Sequence, residues 1–344
     1  MPKSILDDPE VEKEILQLIE ERKHKDTKNA FKASDIFEKI TERVIGQDMI
    51  AMTIAQRIEQ AALVRSKRKP ITSILICGPT GTGKTELAKT LADAVYGEGE
   101  KYLFRVDCGS LGTSEADISK LIGQPKGIKD SHSGSLPQFL NVKKKGVLLF
   151  DELEKAVRQP EDPLAQVLLA ILDEGRVESK RDSTIYSANE CIIVMTSNAK
   201  QSELATLLKN FDTESDEAKD ELEASIRAML QGDVFSPEFL ARIDFVTTVL
   251  PLDARARVQI AEKIIHEIAA DYDLTVDLSD KSIYFFLVDA VEKFEEGNAR
   301  TLARWISDHF KPSIVKFKHA SSTITDAALK YKGEELVLAP VKKK

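Results

Sequence analysis

Cysteine and histidine are scarce in this sequence, with three cysteines and five histidines in 344 residues. Cys77, Cys108 and Cys191 lie far apart along the chain. The histidines share no metal-ligand spacing with them or with one another. We therefore expect neither a disulfide framework nor a zinc site.

Long apolar runs are also missing. No window approaches the run of about 20 apolar residues that a membrane-spanning helix needs, and the N-terminus lacks the charged-then-apolar order of a signal peptide. We therefore expect no membrane span and a cytoplasmic protein.

Positive charge is not in excess either, since the net charge is −8. A negative net charge disfavours a surface built mainly to neutralise phosphate backbones. Nucleic acid is therefore the second choice of partner, after protein.

The sequence contains enough apolar residues to form a packed core and enough charged residues to cover its surface. Its composition of 42% hydrophobic and 31% charged residues is typical of a soluble globular chain. Its length suggests roughly two domains. Residues 7–22 place Val11, Ile15 and Leu18 on one face of a predicted helix. We favour packing of this helix on its own domain, and docking to a partner is the alternative.

From about residue 34, strand-like runs alternate with helical patterns, which predicts a parallel sheet covered on both faces. The predicted strands are 71–77, 102–107, 147–151, 191–196 and 245–250. After Pro251 the pattern is mainly helical and ends in a predicted hairpin. The predicted division is an N-terminal helical extension (1–33), a large α/β domain (34–250) and a small C-terminal domain (251–344).

The strongest motif is GPTGTGKT, directly after the first predicted strand and directly before a helical pattern. In such a loop, backbone N–H groups surround phosphates, Lys84 reaches the β- and γ-phosphate oxygens, and the Thr85 hydroxyl ligates Mg²⁺. The sequence therefore predicts an ATP and Mg²⁺ site. Its loop residues are Gly78, Pro79, Thr80, Gly81, Thr82, Gly83, Lys84 and Thr85.

Two later predicted strands end in polar residues. Asp151 and Glu152 follow one of them, and Asn198 follows the next. Parallel strands deliver their carboxyl ends to one edge of a sheet, so Asp151 is predicted to hold Mg²⁺ through water and Glu152 to deprotonate the attacking water. Asn198 can hydrogen-bond the γ-phosphate or that water. The motifs together predict ATP hydrolysis rather than nucleotide binding alone.

Four blocks resemble those of the Clp/HSP100 ATPases, and in particular the second ATPase module of ClpB- and ClpA-like remodellers. They are VIGQD at 44–48, LLAILDEGR at 168–176, MTSN at 195–198 and FSPEFLARID at 235–244. With the motifs above, the resemblance spans residues 44–302. It implies an AAA+ P-loop fold with a parallel five-stranded sheet flanked by helices, followed by a smaller, mainly helical lid domain.

The resemblance also implies an assembly and further site residues. The assembly is a homo-hexameric ring. Val44 and Ile45 line the adenine pocket, and Arg242 acts as an arginine finger on the neighbour's nucleotide. The alternative for Arg242 is a surface cation paired with Asp244.

The sequence Gly-Asn-Ala-Arg at 297–300 resembles the sensor-2 motif of the same family. Arg300 then contacts the nucleotide from the small domain. Asn298 interrupts the usual motif and allows a register shift of about one residue, and Arg304 is the alternative. The predicted catalytic set is Glu152, Asn198, Arg242 and Arg300.

One loop departs from the family. Protein unfoldases of this type carry an aromatic residue in the loop that corresponds to 123–135, where this chain has Ile128. An aliphatic side chain offers less contact area than a ring. We predict that the loop faces a central channel and contacts substrate through Ile128 and Lys129, and a plain surface connection is the alternative.

The leading interpretation is an ATP-hydrolysing chaperone motor that remodels, unfolds or disassembles a protein substrate. The alternatives are a nucleic-acid-associated motor or loader and an ATP-dependent assembly switch. The chain contains no Ile/Leu-Gly-Phe tripeptide of the kind that docks ClpP-type proteases, so no such partner is expected.

Overall fold

The computed structural model describes residues 31–64, 68–111, 114–126, 132–159, 161–209, 216–295, 299–320 and 324–341. Three predictions fall outside these residues: the helix at 7–22, the substrate contacts of Ile128 and Lys129, and the first two residues of the Gly-Asn-Ala-Arg motif.

The helices are α1 Ala33–Arg43, α2 Asp48–Leu63, α3 Lys84–Tyr96, α4 Cys108–Leu111, α5 Glu115–Ile122, α6 Ser135–Lys143, α7 Pro163–Glu174, α8 Gln201–Lys209, α9 Asp216–Leu230, α10 Pro237–Leu240, α11 Ala254–Ala270, α12 Ile283–Glu295 and α13 Ala299–Ala320. The strands are β1 Thr72–Cys77, β2 Leu103–Asp107, β3 Lys145–Asp151, β4 Arg176–Glu178, β5 Ile185–Ser187, β6 Glu190–Ser197, β7 Phe245–Thr248, β8 Thr275–Asp277, β9 Asp326–Lys332 and β10 Glu335–Pro340. Short 3₁₀ turns cover Gly99–Tyr102 and Leu153–Lys155.

The central sheet has five strands in the order β2-β3-β6-β1-β7, and all its pairings are parallel. The predicted five-stranded parallel sheet is confirmed, with strand ends that differ by one or two residues. Strands β1, β3 and β6 are almost entirely buried along their length. That burial explains their near-continuous apolar runs, since a parallel sheet is covered by helices on both faces.

Alternate residues of β1 face opposite layers of the core, as the pleat of a strand requires. Ile74 and Ile76 belong to an apolar cluster with Leu87 and Leu91 of α3. Leu75 lies in the other cluster, with residues of α5, α6 and α7. The sheet is thus held between two helical layers, and its carboxyl-end edge is left for the loops that carry the predicted site.

Among the described residues, β7 is an edge strand of the central sheet, and side chains bond to the backbone in and after it. Leu250 donates its N–H to Gln47 Oε1 at 2.9 Å, and Gln47 Nε2 donates to the Leu250 carbonyl at 2.9 Å. Glu223 Oε1 accepts the Val246 N–H at 3.1 Å. These bonds occupy one backbone N–H of β7 and both backbone groups of Leu250 just after it, which disfavours pairing with another chain at those positions. The buried Gln47 also fixes the segment before α2 beside the sheet.

The segment before α2 approaches the C-terminal region closely at Gly46. A Cβ at this position would lie 2.8 Å from Ala256 Cβ and 2.9 Å from Leu252 Cδ2, and Gly46 has a φ of 74°. Only glycine fits both the space and the backbone conformation. This packing brings Ile45 against the apolar cluster of the C-terminal region, whereas Val44 belongs to the cluster beside the sheet.

The C-terminal region is mainly helical, as predicted. Helices α11, α12 and α13 bury a third apolar cluster that includes Ile265, Phe286 and Phe310. The predicted hairpin is confirmed as β9 and β10, which pair antiparallel around Gly333. β8 adds a third strand parallel to β9, and the sequence analysis missed it. The division of the chain at residue 250 stays a prediction.

None of the described helices is long and apolar enough to cross a membrane.

The small antiparallel pair of β4 and β5 after α7 was, like β8, not predicted from the sequence. Each of these strands has three residues, which is too short for an alternating pattern to be recognised.

Candidate nucleotide site

The loop between β1 and α3 has the conformation of a phosphate cradle. Gly78 has a φ of 137°, and a Cβ there would lie 2.3 Å from Val249 Cγ2, so no other residue fits. α3 begins at Lys84, so its N-terminal N–H groups and the positive end of its dipole lie at the loop. Lys84 Nζ donates to the carbonyl oxygens of Gly78 at 2.8 Å and Pro79 at 2.6 Å. The loop therefore holds its lysine in place through its own backbone.

Burial changes the acidity of the loop lysine. Lys84 is 6% exposed. Loss of hydration lowers the pKa of its ammonium group from 10.5 to about 8, and the nearby acidic groups Cys77, Glu154, Asp151 and Glu152 offset part of this effect. The lysine charge is therefore lost at a lower pH than that of an exposed lysine.

The affinity of the chain for ATP should fall as the pH rises through about 8, because phosphates bind the ammonium form of Lys84. Below this pH the free chain already carries the charge, so the affinity should be flat. Titration with a fluorescent ATP analogue at a series of pH values measures the effect. Lys84→Arg is the control, since a guanidinium keeps its charge across this range. An identical fall in that variant would show that another group titrates.

Asp151, at the end of β3, is the most heavily bonded side chain of the site. It is 5% exposed. Thr85 Oγ1 lies 3.1 and 3.0 Å from its two carboxylate oxygens. Thr196 Oγ1 donates to Oδ1 at 2.6 Å, and Arg105 Nη2 donates to Oδ2 at 2.7 Å. The sheet order places β3 beside β6, which explains the contact with Thr196.

Thr85 and Asp151, the two predicted Mg²⁺ ligands, are thus in direct contact. Their hydroxyl and carboxylate oxygens are the hard donors that Mg²⁺ prefers. In the part of the chain that the structure describes, no group of three or more His, Cys, Asp or Glu side chains is arranged to hold a metal. Mg²⁺ at nucleotide sites is usually held by one or two protein side chains, water and phosphate oxygens, so the pair fits such an ion.

Glu152 contacts the predicted sensor Asn198 directly. Asn198 Nδ2 donates to Glu152 Oε1 at 3.1 Å. Glu152 adopts a left-handed backbone conformation, with φ 56° and ψ 50°, which costs a residue with a side chain roughly 1–2 kcal/mol. Its N–H donates to Thr196 Oγ1 at 3.0 Å, which helps to hold this conformation.

The sequence analysis missed Thr196 and Arg105. The Thr196 hydroxyl is shared between Asp151, to which it donates, and the Glu152 N–H, from which it accepts. A threonine inside an apolar strand is typical of ordinary packing. The one signal in the sequence for a role of Thr196 in the site is its position two residues before Asn198, at the end of the same strand.

Replacing Thr196 by valine should destabilise the site, because the Glu152 N–H and one Asp151 oxygen lose a partner. A buried polar group left without a partner costs about 1–3 kcal/mol. We expect the free energy of unfolding to fall by about that amount, and ATP turnover to fall with it. Denaturant unfolding and phosphate release measure the two effects. Thr196→Ser keeps the hydroxyl and should restore both, and a serine variant as impaired as the valine variant would contradict this assignment.

A cavity of about 640 Å³ joins these groups to the C-terminal region. Val44, Ile45 and Ile260 contribute apolar surface, and Arg300 lines the cavity from α13. Arg304, the alternative to Arg300, is not among its lining residues. The predicted residues that line it are Val44, Ile45, Thr80, Gly81, Thr82, Gly83, Lys84, Thr85, Asp151, Glu152, Asn198 and Arg300.

Arg242 is not among the residues that line this cavity. Its Nε lies 2.6 Å from Asp173 Oδ1, and its Nη2 lies 3.9 Å from Glu238. The alternative pairing with Asp244 is wrong. Asp244 Oδ2 instead accepts hydrogen bonds from the N–H and the hydroxyl of Ser73, at 2.8 and 2.9 Å, because it lies against β1.

The sheet order and the cradle after β1 define a P-loop nucleotide-binding domain of the AAA+ class. Residues 69–246 match the model of the AAA domain (Cdc48 subfamily), and the chain belongs to that family. The predicted resemblance to the Clp/HSP100 ATPases is confirmed by the relatives described next.

The chain is similar to the chaperone protein ClpB of Bacillus cereus (strain ATCC 10987 / NRS 248), with 32% identity over 83% of this chain and 32% of the relative. It is 35% identical to the mitochondrial chaperone protein ClpB3 of Oryza sativa subsp. japonica, over 70% of this chain and 22% of the relative. The fold is similar to that of Hsp104 in a closed-state cryo-EM reconstruction with ATPγS and FITC casein. The TM-score is 0.70 and the identity 26%, over 90% of this chain and 51% of that one. The chain spans about a third of the ClpB relative's length.

Proposed function

We propose that this chain hydrolyses ATP, with Mg²⁺, and uses the energy to remodel a protein substrate. The observation that carries the proposal is the meeting of Lys84, the Thr85 and Asp151 pair, and the Glu152 and Asn198 pair around one cavity. These are the groups that phosphoryl transfer to water requires: a phosphate cradle, metal ligands and a base beside a polar orienting group.

Each group has a proposed task in the reaction. Lys84 and the N-terminus of α3 hold the phosphates. Thr85 and Asp151 would hold Mg²⁺, which when bound neutralises charge on the phosphate oxygens. Glu152 accepts the proton of the attacking water. Asn198, bonded to Glu152, orients that water or the γ-phosphate.

Other residues of the cavity are proposed to bind the adenine and to link the nucleotide to the C-terminal region. Val44 and Ile45 form an apolar wall suited to a base ring. Arg300 reaches the cavity from α13, in the C-terminal region. Nucleotide in this cavity would therefore contact both parts of the chain, and a change in its phosphates can alter how they pack.

A ring of identical subunits is proposed from Arg242. Its side chain is 36% exposed and lies outside the cavity of its own chain. An arginine finger that serves a neighbour's nucleotide must be exposed in this way. The homo-hexameric state, the cytoplasmic location and the lack of a ClpP-type partner stay predictions.

A protein substrate is favoured over nucleic acid by two observations. The ClpB relatives described above are named chaperone proteins, and the Hsp104 reconstruction contains casein. The net charge of this chain is −8, which does not favour phosphate backbones.

The proposal is tested by the rate of phosphate release from ATP with and without additions. Unfolded casein should raise the rate, whereas single-stranded DNA and RNA should leave it unchanged. Glu152→Gln is the background control. Stimulation by nucleic acid and not by casein would favour the nucleic-acid motor instead, and stimulation by neither would favour the assembly switch.

A further inference from the structure

Glu154 lies beside the proposed catalytic pair without a role in the reaction described above. It belongs to the 3₁₀ turn that follows Asp151 and Glu152. Its Oε1 accepts the Asn198 N–H at 3.2 Å. Its Oε2 is buried and has no hydrogen-bond partner among the described residues. Burying an incompletely bonded carboxylate is costly, so a benefit elsewhere is expected.

The contact between Glu154 and Asn198 lies just beyond the last paired residue of β6. β6 pairs with β3 as far as Met195, and with β1 as far as Ser197. Asn198 is the first residue beyond both ladders. The carbonyl side of its peptide, Ser197 O, accepts the Gly78 N–H at 3.1 Å, which leaves the Asn198 N–H side to be held by another group. The Glu154 carboxylate is the group that accepts its N–H instead.

Besides the bond from Thr196 Oγ1 to Asp151, three hydrogen bonds tie the residues after β3 to the end of β6. The first joins the Glu152 N–H to Thr196 Oγ1, and the second joins Asn198 Nδ2 to Glu152 Oε1. The third is the bond from the Asn198 N–H to Glu154. The second bond depends on the third, because the position of the Asn198 backbone determines where its side-chain amide lies.

We propose that Glu154 is a positioning residue for hydrolysis, which holds the Asn198 backbone so that the Asn198 amide stays bonded to Glu152. This inference rests on the proposed ATPase function. It assigns Glu154 no contact with nucleotide, so the loss of positioning should appear in the rate of the hydrolytic step and not in binding.

The test compares Glu154→Ala with Glu154→Gln, which keeps an oxygen that can accept the Asn198 N–H. A displacement of about 1 Å in a catalytic group can cost about 10²-fold in rate, so Glu154→Ala should lower kcat by up to that factor. Both variants remove the charge that Glu154 exerts on Lys84, so any change in the KM for ATP or in the Kd of a fluorescent ADP analogue should be the same in the two, and only kcat should separate them. Glu154→Gln should stay within a few-fold of the wild-type chain. Glu161→Ala, an exposed glutamate seven positions along the chain, is the matched control.

A double-mutant cycle with Asn198→Ala separates positioning from a merely structural role. If Glu154 acts through Asn198, Glu154→Ala should have almost no further effect on kcat once Asn198 is alanine. Full additivity would overturn the inference, as would a wild-type kcat in Glu154→Ala or a glutamine variant as slow as the alanine variant. If the alanine variant does not fold, Glu154→Asp, which keeps the charge and shortens the reach, should show the same loss in the same cycle.

Failure of this inference can be told apart from failure of the proposed function. A wild-type chain that releases no phosphate from ATP would defeat the proposed ATPase, and with it this inference. A wild-type chain that turns over ATP, beside a Glu154→Ala variant that does so equally well, would defeat the inference alone.

Discussion

Glu152→Gln should bind ATP as well as the wild-type chain does and release almost no phosphate. General-base catalysis contributes about 10²- to 10⁴-fold to a rate, and the turnover should fall by a factor of that order. Binding should survive because no hydrogen bond or ion pair joins Glu152 to Lys84 or Thr85 among the described residues, and its charge has the smallest of the named effects on the Lys84 pKa. The amide keeps an oxygen for the Asn198 side chain, so the local geometry should be preserved. Phosphate release and equilibrium binding of a fluorescent nucleotide measure the two properties.

Lys84→Ala is the complementary variant, because it should lose binding first. Removal of this cation leaves the cradle without the ammonium that its carbonyl oxygens hold in place. The two variants should therefore fail in different assays. Equal phosphate release by Glu152→Gln and the wild-type chain would remove Glu152 from the mechanism.

Arg242→Ala should lower ATP turnover by about 10³-fold or more if the residue is an arginine finger. The expected defect is in trans, since Arg242 lies outside the cavity of its own chain. Subunits with Arg242→Ala still carry Glu152, and subunits with Glu152→Gln still carry Arg242. A mixture of the two should regain turnover at interfaces where both intact residues meet, although neither variant alone turns over well.

The ion pair of Arg242 with Asp173 allows a sharp control. Asp173→Asn breaks the same pair but leaves the guanidinium available to a neighbour. An exposed pair of this kind contributes little stability, in the range of about 0–1 kcal/mol. Asp173→Asn should therefore retain turnover. A loss equal to that of Arg242→Ala, or full turnover by isolated wild-type subunits at high dilution, would contradict a site shared between subunits.

Much of the sheet and of the nucleotide site could be predicted from the sequence. β1, β3 and β6 are buried on both faces, so their apolar runs are long and unbroken. The polar residues that follow them meet because neighbouring parallel strands end at one edge. Asp151 and Asn198 could thus be assigned to one site before their contacts were known.

The rest depended on contacts that a linear pattern does not contain. Glu154 follows a pair of acids and is typical of a solvated turn, yet its carboxylate reaches Asn198. Arg105 lies in β2, and its ion pair with Asp151 depends on the pairing of β2 with β3. Proximity in sequence favours Asp244 as a partner of Arg242, whereas the ion pair that forms is with Asp173. Sequence distance is a poor guide to such pairs.

The most direct test of the central claim is whether this chain alters the structure of a protein when it consumes ATP. A stably folded fluorescent protein with an unstructured tail is mixed with the wild-type chain, ATP and Mg²⁺, and its fluorescence is followed. Fluorescence should fall with ATP, and it should be unchanged with ADP or with the Glu152→Gln variant. Steady fluorescence while the wild-type chain continues to release phosphate would contradict the account, because hydrolysis would then do no work on protein.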